Sequence, residues 1–239
     1  MTWRLHICFE RCAVALLTAA SLFAGTVRGR FEIVSSQDPD VRKHADYSGI
    51  VVWLEALGGN APAPVHKKVE MIQRGKRFTP HVLAVELGTT VDFPNYDPIF
   101  HNAFSNFDGQ IFDVGLYPPG STRSVAFRRE GIVRIFCNIH PTMSAVIVVL
   151  RSPYFTISGK LGEFAMANVP SGSYRLHIFH ERATQQTLDE LTRTIDLASD
   201  ADVGKITVSE SGYLLLPHKN KYGKDYPPAD GSIYSGVKP

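Results

Sequence analysis

Cysteine is scarce in this chain: three residues among 239, at positions 8, 12 and 137. So few cannot make a disulfide-stapled scaffold, and the fold has to be held by a hydrophobic core. A surplus of charge is also missing. Lys and Arg number 25 against 23 Asp and Glu, a formal net charge of +2. That balance attracts neither nucleic acid nor an anionic membrane surface, and no nucleic acid partner is expected. No Ser/His/Asp grouping, His-Glu-x-x-His motif or Gly-rich phosphate loop occurs. Hydrolytic and nucleotide chemistry therefore have no support, and no enzymatic activity is expected. Nor is there an apolar run that reaches the ~20 residues a bilayer-spanning helix needs.

The apolar run that does exist lies at the start. Arg4 and Arg11 precede an uncharged stretch from Ala13 to Ala24, about 12 residues, which suits a secretory signal peptide. Residues 1–24 are read as that signal, with cleavage between Ala20 and Thr26. A retained N-terminal anchor is the alternative, disfavoured because no charge-free extension follows the run. The expected location is periplasmic or otherwise exported, with no stable membrane insertion after cleavage. Export removes Cys8 and Cys12 and leaves Cys137 alone. An unpaired cysteine in an oxidising compartment is a liability unless it is buried, paired between chains or occupied by a metal.

What remains is rich in short extended segments. "TVRGRFEIV" (26–34) alternates Val27, Phe31 and Ile33 on one side, and "GIVVWLEAL" (49–57) is an apolar run closed by Gly58 and Gly59. "HVLAVELGTTVDF" (81–93) places a turn at Gly88, and "STRSVAFRREGIVRIFC" (121–137) places one at Gly131. Many short strands punctuated by Gly and Pro argue for an all-β sandwich. Period-two alternation puts Val133, Ile135 and Cys137 on one face, so the thiol continues an inward column. "AVIVVL" (145–150) is apolar on both faces and reads as a central strand covered on its second side. After Pro153 further strands follow on a smaller scale, with one expected helix, within 181–192. The expected units are 25–152, 153–216 and a polar, Pro/Gly-rich tail at 217–239 without a buried pattern.

The chemistry concentrates in "CNIHPTM" (137–143), which sets Cys137, His140 and Met143 three apart between two apolar runs. A copper electron-transfer site takes two histidines, one cysteine and a weak axial donor. Three of these donors lie in one loop, and "FPNYDPIFHNAFS" (93–105) offers His101 as the fourth. Taken singly, Cys137 reads as a core cysteine, His140 as a loop histidine and Met143 as core filler. Jointly, with a single exported thiol, they read as a metal site. Zinc is the weaker choice because a thioether is a poor zinc ligand. A binuclear copper centre needs a second cysteine in this loop, and there is none.

"HNAFS" followed after a hairpin by "CNIHPTM" resembles the small blue copper proteins, the cupredoxins. The Cys-x2-His-x2-Met spacing is most similar to amicyanin, and "NYDPIFHN" (95–102) resembles the segment that carries the first histidine ligand in that family. The resemblance implies a Greek-key β-sandwich binding one copper ion per chain. In it, His101 and His140 are imidazole ligands, Cys137 the thiolate and Met143 the axial thioether. Asn102 then matches an asparagine that ties the two ligand loops together. The implied function is a type 1 copper protein carrying single electrons for a redox partner protein that the sequence does not name. Copper delivery, or an interaction module without redox turnover, is the alternative. Apolar residues Leu116, Tyr117, Pro118, Pro119 and Pro141 are candidates to frame the His140 end as a docking surface. "KRFTPHVLAVELGTTVDFPNYDPIFHNAFS" and "FDVGLYPPGSTRSVAF" are similar to exported proteins labelled methylamine-utilisation proteins, a label that itself rests on amicyanin likeness.

Other features carry less. His177 and His180 are three apart in a strand-like run and so face opposite ways. His81 at a strand start is read as structural, and His44, His66 and His218 fall in polar loops. "GEFAMANVPSGSYRLHIFH" (162–180) resembles the carboxypeptidase regulatory-like module, which implies a smaller transthyretin-like β-sandwich without catalytic residues. "HKNKYGKDY" (218–226) is basic and aromatic. It reads as a solvated tail, with docking to an acidic redox partner as the functional alternative.

Overall fold

A computed structural model of the chain describes residues 24–58, 63, 65–106, 109–214 and 217–226. The expected signal peptide, apart from Ala24, lies outside the described residues. Strand β1 (Ala24–Val34), a short helix α1 (Pro39–His44) and β2 (Val51–Ala56) come first. Then follow β3 (Lys68–Glu70), β4 (Ile72–Gln73), β5 (Phe78–Thr79), β6 (Val82–Glu86) and β7 (Thr90–Pro94). Next are β8 (Phe104–Ser105), β9 (Phe112–Asp113), β10 (Thr122–Ala126), β11 (Gly131–Phe136) and β12 (Ser144–Leu150). The chain continues through β13 (Phe155–Ile157), β14 (Glu163–Pro170), β15 (Gly172–Phe179), helix α2 (Gln185–Leu191), β16 (Arg193–Leu197) and β17 (Ala201–Ser209). The all-β class read from the sequence is the class adopted, and α2 falls within the expected 181–192 window. Helix α1 was not anticipated, although Asp38 caps it by accepting from Asp40 N–H and Pro39 opens it.

Two hydrophobic cores organise the strands. A five-stranded sheet in the order β6-β12-β11-β8-β9 and a three-stranded sheet β10-β7-β3 share one of them. Val133, Ile135 and Cys137 form the expected inward column there, beside Ile147, Val149, Phe93 and Phe127. The other core lies between the sheets β14-β1-β17 and β13-β2-β15-β16. It contains Val27, Phe31 and Ile33 of β1, the alternating set read from the sequence.

Strand β12 belongs to both cores. Ala145, Ile147 and Val149 face the first, while Val146, Val148 and Leu150 face the second. Fully burying one such aliphatic side chain contributes about 1.5–3 kcal/mol, so both faces of this strand hold the molecule together.

The sheets do not follow the expected division at residue 152. Strand β1 pairs antiparallel with β14 and parallel with β17, and β2 pairs with β13 and β15. Residues 24–56 are therefore hydrogen-bonded to the segment after 153, and the strands from β3 to β12 are inserted between β2 and β13. Alternation shows which side chains of a strand face inward, but it does not say which strand lies alongside.

Candidate metal centre

The centre sits where β11 ends. Cys137 follows Phe136, and its N–H donates to Met143 O (3.1 Å), while Met143 N–H donates to His140 O (3.0 Å). These bonds fold residues 137–143 into a tight loop that returns His140 toward Cys137. His101 arrives from another part of the chain and is held by a two-bond bridge to Tyr117. His101 N–H donates to Tyr117 O (3.2 Å), and Tyr117 N–H donates to His101 O (2.9 Å). Tyr117 is buried, and its hydroxyl donates to Phe93 O (2.9 Å) and accepts from Gln73 Nε2 (2.5 Å). A buried phenol satisfied on both sides gives the first histidine a rigid footing.

His101, Cys137 and His140 converge. Their ligand atoms lie within 4.8 Å of one another, and all three side chains are buried. His140 Nδ1 is 3.5 Å from Cys137 Sγ and His101 Nδ1 is 3.8 Å from it. A first-row metal bonded to sulfur at about 2.3 Å and nitrogen at about 2.0 Å, with angles of about 110–120°, sets those atoms roughly 3.5–3.7 Å apart. The donor set fits one such ion. Among the described residues this is the one grouping of three or more His, Cys, Asp or Glu side chains with metal-site geometry.

Electrostatics prepares the same atoms. Burial lowers the His140 pKa to about 4, with the neighbouring His101 adding to the effect. Its ring is therefore neutral and has a lone pair to give at ordinary pH. Burial pushes the Cys137 thiol up, against backbone N–H groups of Ile139, Asn102 and His140 that favour the thiolate. Without a cation the sulfur keeps its proton, so metal binding releases one. His101 is oriented from behind: its Nε2 lies 2.7 Å from the buried Asp97 Oδ2. That carboxylate also accepts from Gly75 N–H (2.6 Å) and Lys76 N–H (2.8 Å). Burial raises Asp97, but the bonds from Lys76, His101 and Gly75 outweigh it and hold the group ionised below the usual carboxylate range. A carboxylate on the remote nitrogen fixes the tautomer with Nδ1 free and makes the imidazole a stronger donor.

The other expected residues divide. Met143 is buried in the core around the loop. Asn102 Oδ1 accepts from Asn138 N–H (3.2 Å), linking the His101 segment to the Cys137 loop. Leu116, Pro118, Pro119 and Pro141 are exposed, but Tyr117 is not, because its bridge to His101 turns it inward. Tyr96 and Phe100, not anticipated, are exposed large apolar side chains in the His101 segment. His81 pairs with Glu181 and His180 is buried against Glu210, and neither joins the His101, Cys137 and His140 grouping. His177 stacks on Trp53 from the opposite face of its strand.

Two features escaped the sequence reading. Asp97, four residues before His101, lies inside a segment that was read for its histidine alone. The tail was expected to carry no buried pattern, yet residues 218–226 pack on the ligand loop. His218 stacks on Phe136, and Tyr226 hydroxyl donates to Cys137 O (2.8 Å).

Comparison with known proteins gives partial likenesses. No family model matches the chain. It is 33% identical over 60 residues to the methylamine utilization protein MauL of Methylorubrum extorquens, a match spanning 25% of this chain and 53% of that protein. The chain thus spans about half the length of the curated relative it matches. Among solved structures it is similar to a purple cupredoxin from Nitrosopumilus maritimus (22% identity, 35% of this chain and 99% of that one, TM-score 0.31). It is also similar to an amicyanin mutant in its reduced state (17% identity, 41% and 99% coverage, TM-score 0.33). A copper-containing nitrite reductase from Thermus scotoductus is similar at 26% identity over 50% of this chain and 28% of that one, with a TM-score of 0.32.

Proposed function

We propose that this is an exported type 1 copper protein that carries single electrons and catalyses no reaction of its own. The observation that carries the reading is the buried convergence of two imidazole Nδ1 atoms on one thiol sulfur. His101, Cys137 and His140 would hold one copper ion, with the Met143 thioether of the same loop as a weaker fourth donor. The ion, when bound, supplies exchange between Cu(I) and Cu(II). The protein supplies a cradle that changes little between those states. Tyr117 and Asp97 fix His101, the loop bonds of Met143 fix His140, and burial excludes water from the sulfur. Exposed Leu116, Phe100, Pro118, Pro119 and Pro141, next to the ligands in sequence or through the His101–Tyr117 bridge, would form a weak docking face for a redox partner.

The test is copper addition to the purified protein. The expected result is one ion per chain, an intense visible thiolate-to-copper band that reduction abolishes, and retention of the ion through repeated oxidation cycles. Rapid loss of Cu(I) to a modest chelator, with slow self-exchange, would assign the protein to copper delivery instead. No visible band at one equivalent would end the type 1 reading.

A further inference from the structure

A closed ring of hydrogen bonds ties the C-terminal segment to the metal centre. Asn138 N–H donates to Asn102 Oδ1 (3.2 Å), and Lys221 N–H donates to Asn138 Oδ1 (3.0 Å). Lys221 Nζ donates to Asp113 Oδ2 (2.7 Å), and Asn102 Nδ2 donates to Asp113 Oδ1 (2.7 Å), which closes the ring. Beside it, Tyr226 hydroxyl donates to the carbonyl of Cys137 itself (2.8 Å). His218 fills the space between, stacked on Phe136 at 4.1 Å and meeting the Tyr226 ring edge-on at 5.2 Å.

A solvated tail does not make this set of contacts. Three residues of the segment, His218, Tyr226 and Lys221, meet the start of the ligand loop at Phe136, the Cys137 carbonyl and Asn138. Two of the segment's three lysines are also paired, Lys221 with Asp113 and Lys219 with Asp225. Within the fold the ligand loop is also held by its own two internal bonds and by Asn102. The tail contacts add a hold on the loop's first two residues, Cys137 and Asn138.

We infer that Lys221 and Tyr226 are positioning residues for the metal centre, clamping Cys137 and Asn138 against the His101–Asn102 segment and shielding the Cys137 sulfur. The consequence for electron transfer rests on the copper reading. The shielding does not.

Two arms of one experiment separate these. In the metal-free exported protein, where Cys137 is the one expected thiol, the rate at which a soluble aromatic disulfide reagent modifies it reports opening of the loop. Tyr226→Ala is expected to raise that rate about tenfold, the scale of one lost hydrogen bond with its packing. Tyr226→Phe, which keeps the ring against His218, is expected to raise it much less. Lys221→Met, which breaks the ring at Asp113, should also raise the rate. Lys224→Ala, exposed in the same segment, should leave it unchanged. In the copper-loaded protein, Tyr226→Phe should shift the visible band and slow self-exchange while the ion stays bound. An unchanged thiol rate in Tyr226→Ala, at unchanged melting temperature, would overturn the clamp. So would equal acceleration by Lys224→Ala. Should the wild-type protein take up no copper, the proposed function falls, and the thiol rates still decide the clamp.

Discussion

Replacing Asp97 by Asn tests the centre with little steric change. The amide keeps an oxygen to accept from His101 Nε2, now 2.7 Å from Asp97 Oδ2, but the negative charge is gone. Cu(II) carries one more positive charge than Cu(I), so the carboxylate stabilises the oxidised form more. Its charge lies one imidazole away from the expected ion, about 7 Å, where an effective dielectric of ~20 gives about 2 kcal/mol. For a one-electron couple, 59 mV corresponds to about 1.4 kcal/mol, so Asp97→Asn should raise the reduction potential by about 100 mV. Voltammetry of the two proteins at one pH measures it. A second effect appears without metal. Asp97 also accepts from Gly75 and Lys76 N–H, and its carboxyl is held below the ordinary range. A lowered carboxylate stabilises the fold above its unfolded pKa and ceases to do so as pH falls through its folded one. The variant should therefore be less stable than wild type near neutrality, with the gap narrowing in acid. An unchanged or lowered potential, with copper still bound, would refute the argument that Asp97 acts electrostatically through His101.

Further expectations can be checked alongside. Cys137→Ser should abolish the visible band and most copper affinity, and retained colour would sink the copper assignment; the exported protein should also titrate with one thiol per chain. Met143→Leu should keep ion and colour and raise the potential, because a donor to Cu(II) is lost, whereas an unchanged potential would make Met143 core filler. Pro141→Glu should slow electron exchange with a partner and leave the absorption band in place, measured by stopped-flow with any small redox protein that reduces the wild type. Glu210 accepts from His180 Nε2 (2.7 Å), Ser36 Oγ (2.6 Å) and Arg182 Nε (2.9 Å). Burial raises its pKa, but those bonds and the Arg182 charge outweigh it and bring the group from 4.5 to about 2. Glu210→Gln should then destabilise the fold near neutrality by urea denaturation, an effect present above pH ~4.5 and vanishing as pH falls through about 2; unchanged stability at neutral pH would refute the network.

How much of this could be read beforehand depends on the kind of contact. Val133, Ile135 and Cys137 were legible because alternation is a local property of one strand, and β12 because both its faces are apolar. The tight loop was legible because three donors at fixed spacing leave a chemical pattern. Partner choice was not. Strands β1 and β2 show which faces they bury, but their pairing with β14, β17, β13 and β15 depends on contacts more than a hundred residues away. Asp97 was in plain view four residues before His101, yet only the turn of that loop decides whether a carboxylate meets the ring. Tyr117 was expected in an exposed patch with Leu116, and its backbone bridge to His101 sends it inward. The tail leaves no periodicity to find, because a few individual hydrogen bonds and one ring stack hold it.

The inserted arrangement has a mechanical consequence for the centre. Cys137 and His140 lie between β11 and β12, and β12 is also a wall of the second core through Val146, Val148 and Leu150. That second core is closed by β1 and β17, whose end carries Glu210. Glu210 N–H donates to Val34 O (3.0 Å), and its carboxylate gathers His180, Arg182 and Ser36. Loosening this network exposes one face of β12, and a strand that has lost half its packing cannot hold the ligand loop in a fixed register. The two cores are therefore expected to unfold as one cooperative unit. Glu210→Gln, which touches no ligand, should lower the temperature at which copper and its colour are released by as much as it lowers the melting of the sheets. Copper release at the wild-type temperature, after the second core has melted, would show that the inserted sandwich stands alone and that β12 does not couple the two.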